Sequence, residues 1–379
     1  MSYKAKVCFL SSVHSLLDVR VFYKEAKTLV RAGYEVVLIV QHDRDEVVDG
    51  VRVVPLPRPK NRLDRMTRLA WKSFMLAIKE QADVYHFHAP ELIPIGLLLK
   101  LLGKKVIYDV HEAFGEKIPS KEWIRPRQAR FLISKLFPQV ENALSRFFDH
   151  IIVADSFVAK QFKRQSVTVI ANYPVLSMVK ARSLDKVRIR KIVGRTIAIY
   201  VGGLTRERGL LQMVKAMEFL SDLDVELHLL GRLDDPADEE LIKQSSNVKY
   251  FGFVTLEKVF EYLALADIGL AVFQPTRAYL YAGENTNKLF EYMACKLAVV
   301  VSDFPNLRRI VEGAKCGICV DPTSPQEIAA AIRYLHENPE VRMQMGESGF
   351  QAVLSKYNWE RESEKLLEIY NRLVSENEG

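Results

Sequence analysis

The chain has 379 residues and is 49% hydrophobic, so it can bury two cores of ordinary domain size. Its formal net charge of +7 favours anionic partners, which include nucleic acid, acidic membrane surfaces and phosphorylated ligands. The start MSYKAKVCFLSSVHS lacks a cleavage-site pattern, and no apolar run approaches the ~18 residues of a membrane span. We therefore predict neither a secretory signal nor a transmembrane helix, and expect any membrane contact to be peripheral.

The first half of the chain alternates strand-length apolar runs with amphipathic helical segments. The strand KAKVCFLSS is followed by a helical segment, VRVFYKEAKTLVRAG, in which Gly33 is placed to end the helix, and then by the strand YEVVLIVQ. Further strands are predicted at ADVYHFHA, KKVIYDV and HIIVADS. These βαβ repeats predict a mainly parallel sheet that is covered by helices on both faces.

The second half repeats this pattern after a polar, basic stretch, residues 174–194, which we interpret as a linker. The alternation restarts at TIAIYVGG, with strands predicted at VELHLLGR, VKYFGFV, IGLAVF, LAVVVSD and CGICVDP, and helices at GLLQMVKAMEFL, LEKVFEYLALA and PQEIAAAIRYLHEN. We predict an α/β protein with two Rossmann-like, doubly wound parallel-sheet domains, residues 1–173 and 195–357. Ligands of such sheets bind beyond the carboxyl ends of the strands, so two domains facing each other would form a cleft.

Several familiar motifs are missing from the sequence. There is no GxxxxGK[ST] motif, no GxGxxG after the first strand and no GxSxG, which argues against P-loop hydrolases, dinucleotide-dependent dehydrogenases and serine hydrolases. The CGIC stretch at 316–319 fits a strand that runs into a proline-marked turn, and four cysteines fit a reduced, cytoplasmic protein. His86 and His88 suggest a metal site, but no third ligand follows at a telling spacing, so we predict no metal.

Two loops of the second half carry residue types that suit an anionic ligand. In YVGGLTRERGL, the glycine turn lets backbone amides approach an anion, and Arg206 and Arg208 can clamp phosphate oxygens. The same loop is equally compatible with an ordinary βα turn that carries solvated arginines. Neither interpretation is excluded by this loop alone.

The second loop, GENTNKLFEYMACKLAVVVSD (residues 283–303), begins an amphipathic helix. Thr286 and Asn287 suit the helix cap, and the amides that follow, at Lys288, Leu289 and Phe290, would offer a diphosphate site. Glu291, about one turn further, can accept hydrogen bonds from a ribose diol, and Glu284 precedes the helix within reach of an attached sugar. The alternative is a solvated helix with an ordinary cap.

Taken in order, these motifs resemble a known family. YVGGLTRERGL, LHLLGR, KYFGFV, LADIGLAVF, NKLFEYMACKLAVVVSD, GICVDPTSPQEIAAAI and YNWERESEKLLEIY resemble the retaining glycosyltransferase family 4, whose fold is GT-B. DVRVFYKEAKTLVRAGYEVVLI and HAPELIPIGLLLKLLGKKVIYDVHE look like its acceptor-side domain. The resemblance covers nearly the whole chain and implies that a C-terminal helix, residues 358–379, packs back on the N-terminal domain.

This resemblance implies a metal-independent hexosyltransferase without a cofactor. Its donor would be a nucleotide-diphospho-sugar, a UDP-sugar first and a GDP-sugar next. Its acceptor would be a glycan or lipid-linked saccharide in the biosynthesis of a surface polysaccharide or glycoconjugate. The sequence identifies neither the sugar nor the acceptor, the linkage or the oligomeric state.

The resemblance also assigns roles to individual residues. Arg208 matches the cation that contacts the donor diphosphate, Glu291 the second glutamate of an E-x7-E motif, and His111 a histidine near the reacting centre. The first glutamate of that motif is replaced by Gly283, with Glu284 one place later. The arginine that the family usually carries directly after the first glycine of the loop YVGGLTRERGL is also absent, and Arg206 is expected to substitute for it. The expected catalytic residues are His111 and Glu284, and the expected donor site comprises Gly203, Arg206, Arg208, Gly231, Arg232, Phe253, Val254, Thr286, Asn287, Lys288, Leu289 and Glu291.

The acceptor is expected on the N-terminal domain. In place of the glycine-rich loop of many family members, this chain has SSVHSLLDVR, whose polar residues could contact an acceptor, although Asp18 could equally cap a helix. The acceptor-side candidates are His14, Asp18, Arg20, His88 and Glu91. The basic, aromatic stretches 58–74 and 117–137 suit contact with an anionic membrane on its cytoplasmic face, or alternatively a solvated helix face.

Three other functions remain compatible with the sequence. A sugar-nucleotide epimerase or a phosphorylase could use the same fold, although no cofactor lysine can be located for the phosphorylase. A two-lobed binding protein would bind a ligand without turnover. Nucleic-acid binding fits the basic charge, but no reader motif is present and Glu284 and Glu291 would repel phosphate.

Overall fold

A computed structural model describes residues 3–121, 123–163, 166–177 and 195–375. The chain divides into two compact units: the first unit comprises Met1–Asn172 and Trp359–Gly379, and the second unit Tyr173–Asn358. Most of the predicted linker, residues 178–194, lies outside the described residues. Among the described residues, no helix combines the length and the apolar character that crossing a membrane would need.

The first unit contains an eight-stranded sheet, and its spatial strand order is β3-β4-β2-β1-β5-β6-β7-β8. All of its strand pairs are parallel except β3 with β4. The order reverses between β1 and β5, as a doubly wound sheet requires. The strands are β1 (Lys6–Ser15), β2 (Glu35–Gln41), β3 (Glu46–Val48), β4 (Val51–Leu56), β5 (Val84–Phe87), β6 (Lys105–Val110), β7 (His150–Val153) and β8 (Val167–Val169).

Helices of the first unit connect these strands. A π-helical segment, Val19–Ala26, runs directly into α1, so the helix predicted after β1 is not a regular α-helix throughout. A second π-helical segment, Arg65–Leu69, joins α2 to α3, and 3₁₀ turns lie at Pro90–Leu92 and Ile118–Ser120. The α-helices are α1 (Lys27–Arg31), α2 (Arg62–Asp64), α3 (Ala70–Glu80), α4 (Ile93–Leu101), α5 (Phe114–Lys117), α6 (Arg127–Ser145) and α7 (Ser156–Ala159).

The second unit contains a six-stranded, wholly parallel sheet of order β11-β10-β9-β12-β13-β14. Its strands are β9 (Thr196–Val201), β10 (Val225–Leu230), β11 (Val248–Tyr250), β12 (Ile268–Ala271), β13 (Ala298–Ser302) and β14 (Gly317–Val320). Its helices are α8 (Leu210–Glu218), α9 (Asp238–Lys243), α10 (Leu256–Leu265), α11 (Asn287–Ala294), α12 (Pro305–Ala314), α13 (Pro325–Glu337) and α14 (Pro339–Ser355). The predicted α/β class with doubly wound parallel sheets is confirmed in both units.

The sequence prediction missed the hairpin formed by β3 and β4. The residues between them, Asp49 and Gly50, both have positive φ, and an Asp-Gly pair between apolar runs is a strong hairpin signal. The last helix, α15 (Trp359–Ser375), belongs to the first unit. There, Trp359 donates to Thr28 Oγ1 at 3.0 Å, and the buried Tyr370 hydroxyl lies 2.8 Å from His86 Nδ1.

Candidate active site

Two cations of the second unit converge on the glycine turn that follows β9. A Cβ built on Gly202 would lie 3.1 Å from Lys288 Nζ and 3.5 Å from Arg208 Nη1, and one on Gly203 would lie 3.1 Å from Arg208 Nη1. Arg208 Nε donates to the Tyr279 hydroxyl at 2.7 Å, and Lys288 Nζ donates to the Tyr200 hydroxyl at 2.7 Å. The two tyrosines thus hold both cations beside the turn.

This arrangement is electrostatically unfavourable without an anion. Burial, together with the neighbouring Arg208 guanidinium, lowers the pKa of Lys288 well below its ordinary value. A like charge beside a desolvated ammonium has this effect because each destabilises the charged form. A bound anion would reverse it, so the turn is suited to phosphate oxygens.

A cavity of about 500 Å³ adjoins the same turn. At its base, Gly231 has a φ of +144°, and a Cβ there would lie 1.8 Å from the Gly202 carbonyl oxygen, so only glycine fits. The Arg232 guanidinium lies 4.8 Å from the centre of the Phe253 ring. The Phe253 side chain is mostly exposed. The cavity is lined by Val201, Gly202, Gly203, Leu230, Gly231, Arg232, Phe253, Val254 and Val259.

The start of α11 differs in part from the prediction. Thr286 is the cap residue but makes no side-chain capping bond. The Leu289 amide donates to the Thr286 carbonyl at 3.0 Å, so the prediction that it faces an anion is wrong. Glu291 lies half-buried on this helix.

The surroundings of Gly283 and Glu284 show what a side chain at each of these two positions contacts. Glu284 Oε1 lies 2.6 Å from Arg309 Nη2, which fixes that carboxylate beside α12. A Cβ on Gly283 would lie 2.8 Å from Asn306 Cβ, so a glutamate at Gly283 would require Asn306 to move. Arg206 is 61% exposed on its side chain and pairs with Asp238 at 2.9 Å, and it is not among the residues lining the cavity.

In the first unit, three histidines meet at the ends of β1, β5 and β6. The ring centres of His14 and His111 are 5.1 Å apart, and those of His88 and His111 are 5.4 Å apart. Asp109, the buried penultimate residue of β6, places Oδ2 3.4 Å from His88 Nδ1 and 3.3 Å from His111 Nε2. A single carboxylate therefore contacts two of the three imidazoles.

Arg20 holds this carboxylate from below. Its Nε and Nη2 donate to the two Asp109 oxygens at 2.9 and 3.0 Å, and Nη1 donates to the Ile170 carbonyl at 2.9 Å. Since Arg20 is only 3% exposed, the prediction that it contacts an acceptor is wrong. Asp18 accepts from the amides of Arg20 and Val21, which is the capping alternative.

Glu25 is the second carboxylate at Arg20, with Oε1 3.0 Å from Arg20 Nε. Burial, and next the Asp109 charge, raise the pKa of Glu25 well above its ordinary value. Burial would raise the pKa of Asp109 as well, but Arg20 and His111 outweigh it and hold that pKa well below its ordinary value. The cluster is thus expected to carry its negative charge on Asp109 and a proton on Glu25.

The fold brings two carboxylates close to His86 and His88, so four residues of metal-binding types lie together although their spacing in the sequence did not indicate it. Ligand atoms of Glu25, His86, His88 and Asp109 all lie within 4.8 Å of one another. However, the Arg20 guanidinium already occupies the position of the cation between the two carboxylates. A divalent ion would have to bind beside that fixed positive charge, so these residues fit a structural ion pair better than a metal.

A cavity of about 460 Å³ opens above the three histidines within the first unit. Four sequence candidates line it, His14, His88, Glu91 and His111, whereas Asp18 and Arg20 do not. Glu91 accepts from Ser12 Oγ at 2.8 Å and pairs with Arg65 at 2.8 Å. Asp109 and Glu25 were missed from the sequence. The DxHE of YDVHE was an available signal for Asp109, but Glu25 lies five residues after Arg20 and reaches it within a π-helical segment, a spacing that an α-helix would not bring together.

Comparison with known proteins accounts for both units. Residues 19–172 match the family described as Glycosyltransferase Family 4, and residues 195–338 match Glycosyl transferases group 1. The chain belongs to the family 4 glycosyltransferases. The second range includes the turn after β9 and helix α11. The first range includes His88 and His111, but it begins after His14.

Among curated relatives of this family 4 glycosyltransferase is the uncharacterized glycosyltransferase MJ1069 of Methanocaldococcus jannaschii. It is 26% identical over 64% of this chain and 66% of its own length, and the next relatives are matched over about half of theirs, 49%. Among solved structures, sucrose-phosphate synthase of Thermosynechococcus elongatus has a TM-score of 0.76 at 19% identity, over 98% of this chain and 99% of that one. Anabaena HepE with UDP-glucose has a TM-score of 0.71 at 16% identity, over 98% and 100%. These likenesses confirm the predicted GT-B fold.

The charge distribution around Arg20 can be tested with two isosteric variants. We expect Asp109→Asn to lower the free energy of unfolding at pH 7 by about 3–5 kcal/mol, because it leaves a buried guanidinium without its ionised partner. Glu25→Gln removes no charge from a protonated Glu25, so we expect this variant to be no less stable than the parent at pH 7. Urea unfolding monitored by circular dichroism measures both.

The same pair of variants gives a pH signature. A carboxyl whose pKa is raised on folding makes the protein less stable as pH rises above its ordinary value of 4.5, since the unfolded state loses its proton first. Glu25→Gln should therefore gain stability relative to the parent between pH 4.5 and pH 7. If Glu25→Gln is the more damaging variant at pH 7, the assignment of the charge to Asp109 is wrong.

Proposed function

We propose that this protein is a retaining glycosyltransferase whose second unit holds a nucleotide-diphospho-sugar donor. The observation that carries the proposal is the convergence of Arg208 and Lys288 on the Gly202–Gly203 turn. Two cations and a glycine turn suit a diphosphate, and the adjoining cavity at Phe253 and Val254 would take the base. Glu291 would accept hydrogen bonds from the ribose hydroxyls, as acidic residues do in other nucleotide-binding α/β folds.

A UDP-sugar is the preferred donor, because the HepE structure of the same fold contains UDP-glucose. In the transfer, the bond between the anomeric carbon and the diphosphate breaks, and negative charge grows on the leaving oxygen. Arg208 and Lys288 would stabilise that charge, which is the largest catalytic contribution expected of such a site. The acceptor hydroxyl would attack from the side of the leaving group, and its proton would pass to the departing phosphate.

The first unit would supply the acceptor site and the residue nearest to the reacting sugar. His111 lines the cavity there, and its Nε2 atom lies within 3.3 Å of Asp109 Oδ2. A buried carboxylate fixes the orientation of an imidazole that contacts it. His111 would thus present a fixed polar edge to the sugar, with Asp109 as its positioning residue. Glu284 would contact the donor sugar from the second unit.

The acceptor is proposed to be a glycan or lipid-linked saccharide, reached at an anionic membrane surface. Helix α6 supports this, since Leu132, Leu136 and Val140 are each about half exposed (58%, 48% and 53%). Their spacing of four residues places them on one helix face. Arg127 and Lys135 on the same helix supply charges that complement anionic lipid.

The donor site is tested by thermal shift with UDP, GDP, ADP and CDP. One nucleotide at 100 times its dissociation constant should stabilise the protein by about 2.7 kcal/mol. Lys288→Met should abolish most of this shift, whereas Lys215→Met, an exposed lysine of α8, should leave it unchanged. No shift with any nucleotide in the parent protein would contradict a nucleotide-sugar donor.

The ribose contact is tested within the same assay. Glu291→Gln should reduce the thermal shift caused by the preferred nucleotide. It should also reduce the difference between that shift and the shift caused by the 2′-deoxy form of the same nucleotide. Glu340→Gln, an exposed glutamate of α14, is the matched control. An unchanged preference in Glu291→Gln would remove the ribose role of this residue.

The role of His111 is tested by nucleotide release from the donor identified above. His111→Ala should lower turnover roughly 10- to 100-fold, the effect of losing one hydrogen bond to a charged transition state. His42→Ala, at the end of β2, is the control and should keep parental turnover. Turnover of His111→Ala within about threefold of the parent would contradict the assignment.

The membrane surface is tested by co-sedimentation with phosphatidylglycerol vesicles at low salt. The double variant Leu132→Glu and Leu136→Glu should lose binding, because it buries charge where apolar side chains would insert. A control double variant, Leu101→Glu and Leu102→Glu, alters a more exposed leucine pair at the end of α4 and should still bind. Equal binding by both variants, or none by the parent, would contradict this surface.

A further inference from the structure

The cavity of the first unit has a rim that the proposed chemistry does not use. Arg62, at the start of α2, and Lys121 and Trp123, after the 3₁₀ turn at Ile118–Ser120, form this rim. The cavity volume of about 460 Å³ is ordinary for a small-molecule site. The residues of this rim would therefore help to select the ligand that binds in the cavity.

The charges that line this cavity do not balance. Glu91 is paired with Arg65 at 2.8 Å, Glu112 with Lys117, and Asp109 with Arg20. Within the described ranges, no carboxylate lies at ion-pair distance from the side chain of Arg62 or Lys121. Among the described residues that line the cavity, Arg62 and Lys121 are the cations that remain after each carboxylate is matched with its partner.

His14 and His88 do not add to this charge at neutral pH. Burial lowers the pKa of His88 to about 4 and also lowers the pKa of His14. These two imidazoles thus line the cavity as polar, uncharged groups, whereas the rim is cationic. A ligand in the cavity would meet both hydrogen-bonding groups and positive charge.

An aromatic ring holds Arg62 in place, and within the part of the chain that the structure describes no carboxylate pairs with it. Its guanidinium lies 4.6 Å from the centre of the Trp123 ring, a distance at which a cation is attracted to the face of an indole. The indole covers the guanidinium without consuming its N–H donors, because the contact is made to the face of the ring. Planar N–H pairs of this kind match phosphate and carboxylate oxygens, and ordering by the indole lowers the entropic cost of binding.

We propose that the acceptor is anionic, with a phosphate-type group bound by Arg62 and Lys121 while its sugar lies towards His111. This inference rests on the proposed function, since it names the acceptor class of the same site. The phosphate could belong to a free sugar phosphate or to the diphosphate of a lipid-linked saccharide. The two sources share the same charge and oxygen geometry, and the cavity recognises that shared chemistry.

The test uses the full chain carrying Lys288→Met, so that the second unit does not compete for phosphate. Isothermal titration compares glucose 6-phosphate with glucose, and farnesyl diphosphate with farnesol. We expect the charged member of at least one pair to bind tenfold or more tightly than its neutral partner. Preference for glucose 6-phosphate indicates a sugar phosphate acceptor, and preference for farnesyl diphosphate indicates a lipid-linked one.

Variants decide whether the rim is responsible. Arg62→Gln and Lys121→Gln should each lower the affinity for the charged probe about 5- to 30-fold, and Arg62→Lys should retain part of it. Lys79→Gln, an exposed lysine of α3 outside the cavity, should bind as the parent does. The proposal is overturned if neither charged probe exceeds its neutral partner, or if the rim variants bind as tightly as Lys79→Gln.

The nucleotide assay separates this failure from that of the proposed function. Arg62→Gln made in the chain with native Lys288 should show the parental thermal shift with the preferred nucleotide. A parental shift combined with no preference for charged probes would overturn only the anionic acceptor. If the parent protein shows no thermal shift with any nucleotide, that result would instead contradict the donor site on which the proposal rests.

Discussion

All strands of a parallel sheet end at the same edge, and every candidate functional residue of this protein depends on that constraint. In the first unit, β1, β5 and β6 bring His14, His88 and His111 together although 97 residues separate the first from the last in the numbering of the chain. In the second unit, the turns after β9 and β10 bring Gly202 and Gly231 into contact. The helices between strands supply the cations and carboxylates that complete each site.

The two units use charge in opposite ways. In the first unit, Arg20 pairs with Asp109 and also contacts Glu25, so its charge holds a carboxylate beside two imidazoles. In the second unit, Arg208 and Lys288 are held by the neutral hydroxyls of Tyr279 and Tyr200. Neutral partners hold a cation in position without cancelling its charge, which is what binding of a diphosphate requires.

The departure from the family's E-x7-E pattern has a local steric cause. Asn306 occupies the space that a side chain at Gly283 would need, and Glu284 is turned to Arg309. Glu291, one turn inside α11, is the residue that the resemblance predicts to match the second glutamate. The altered position lies at the part of the proposed site that would contact the donor sugar rather than its nucleotide. Sugar selectivity is therefore where this protein is expected to differ most from its relatives.

The sequence by itself determined the order of strands and helices, the α/β class and the family. These features are encoded in neighbouring residues, through apolar periodicity, glycine turns and ordered motifs such as YVGGLTRERGL. The hairpin at Asp49 and Gly50 carried such a local signal and was overlooked. Only the tertiary structure decided that Arg20 is buried against Asp109, 89 residues away, and that the Lys288 side chain joins Arg208. Such contacts depend on how distant strands and helices pack, and residue spacing along the chain does not encode that packing.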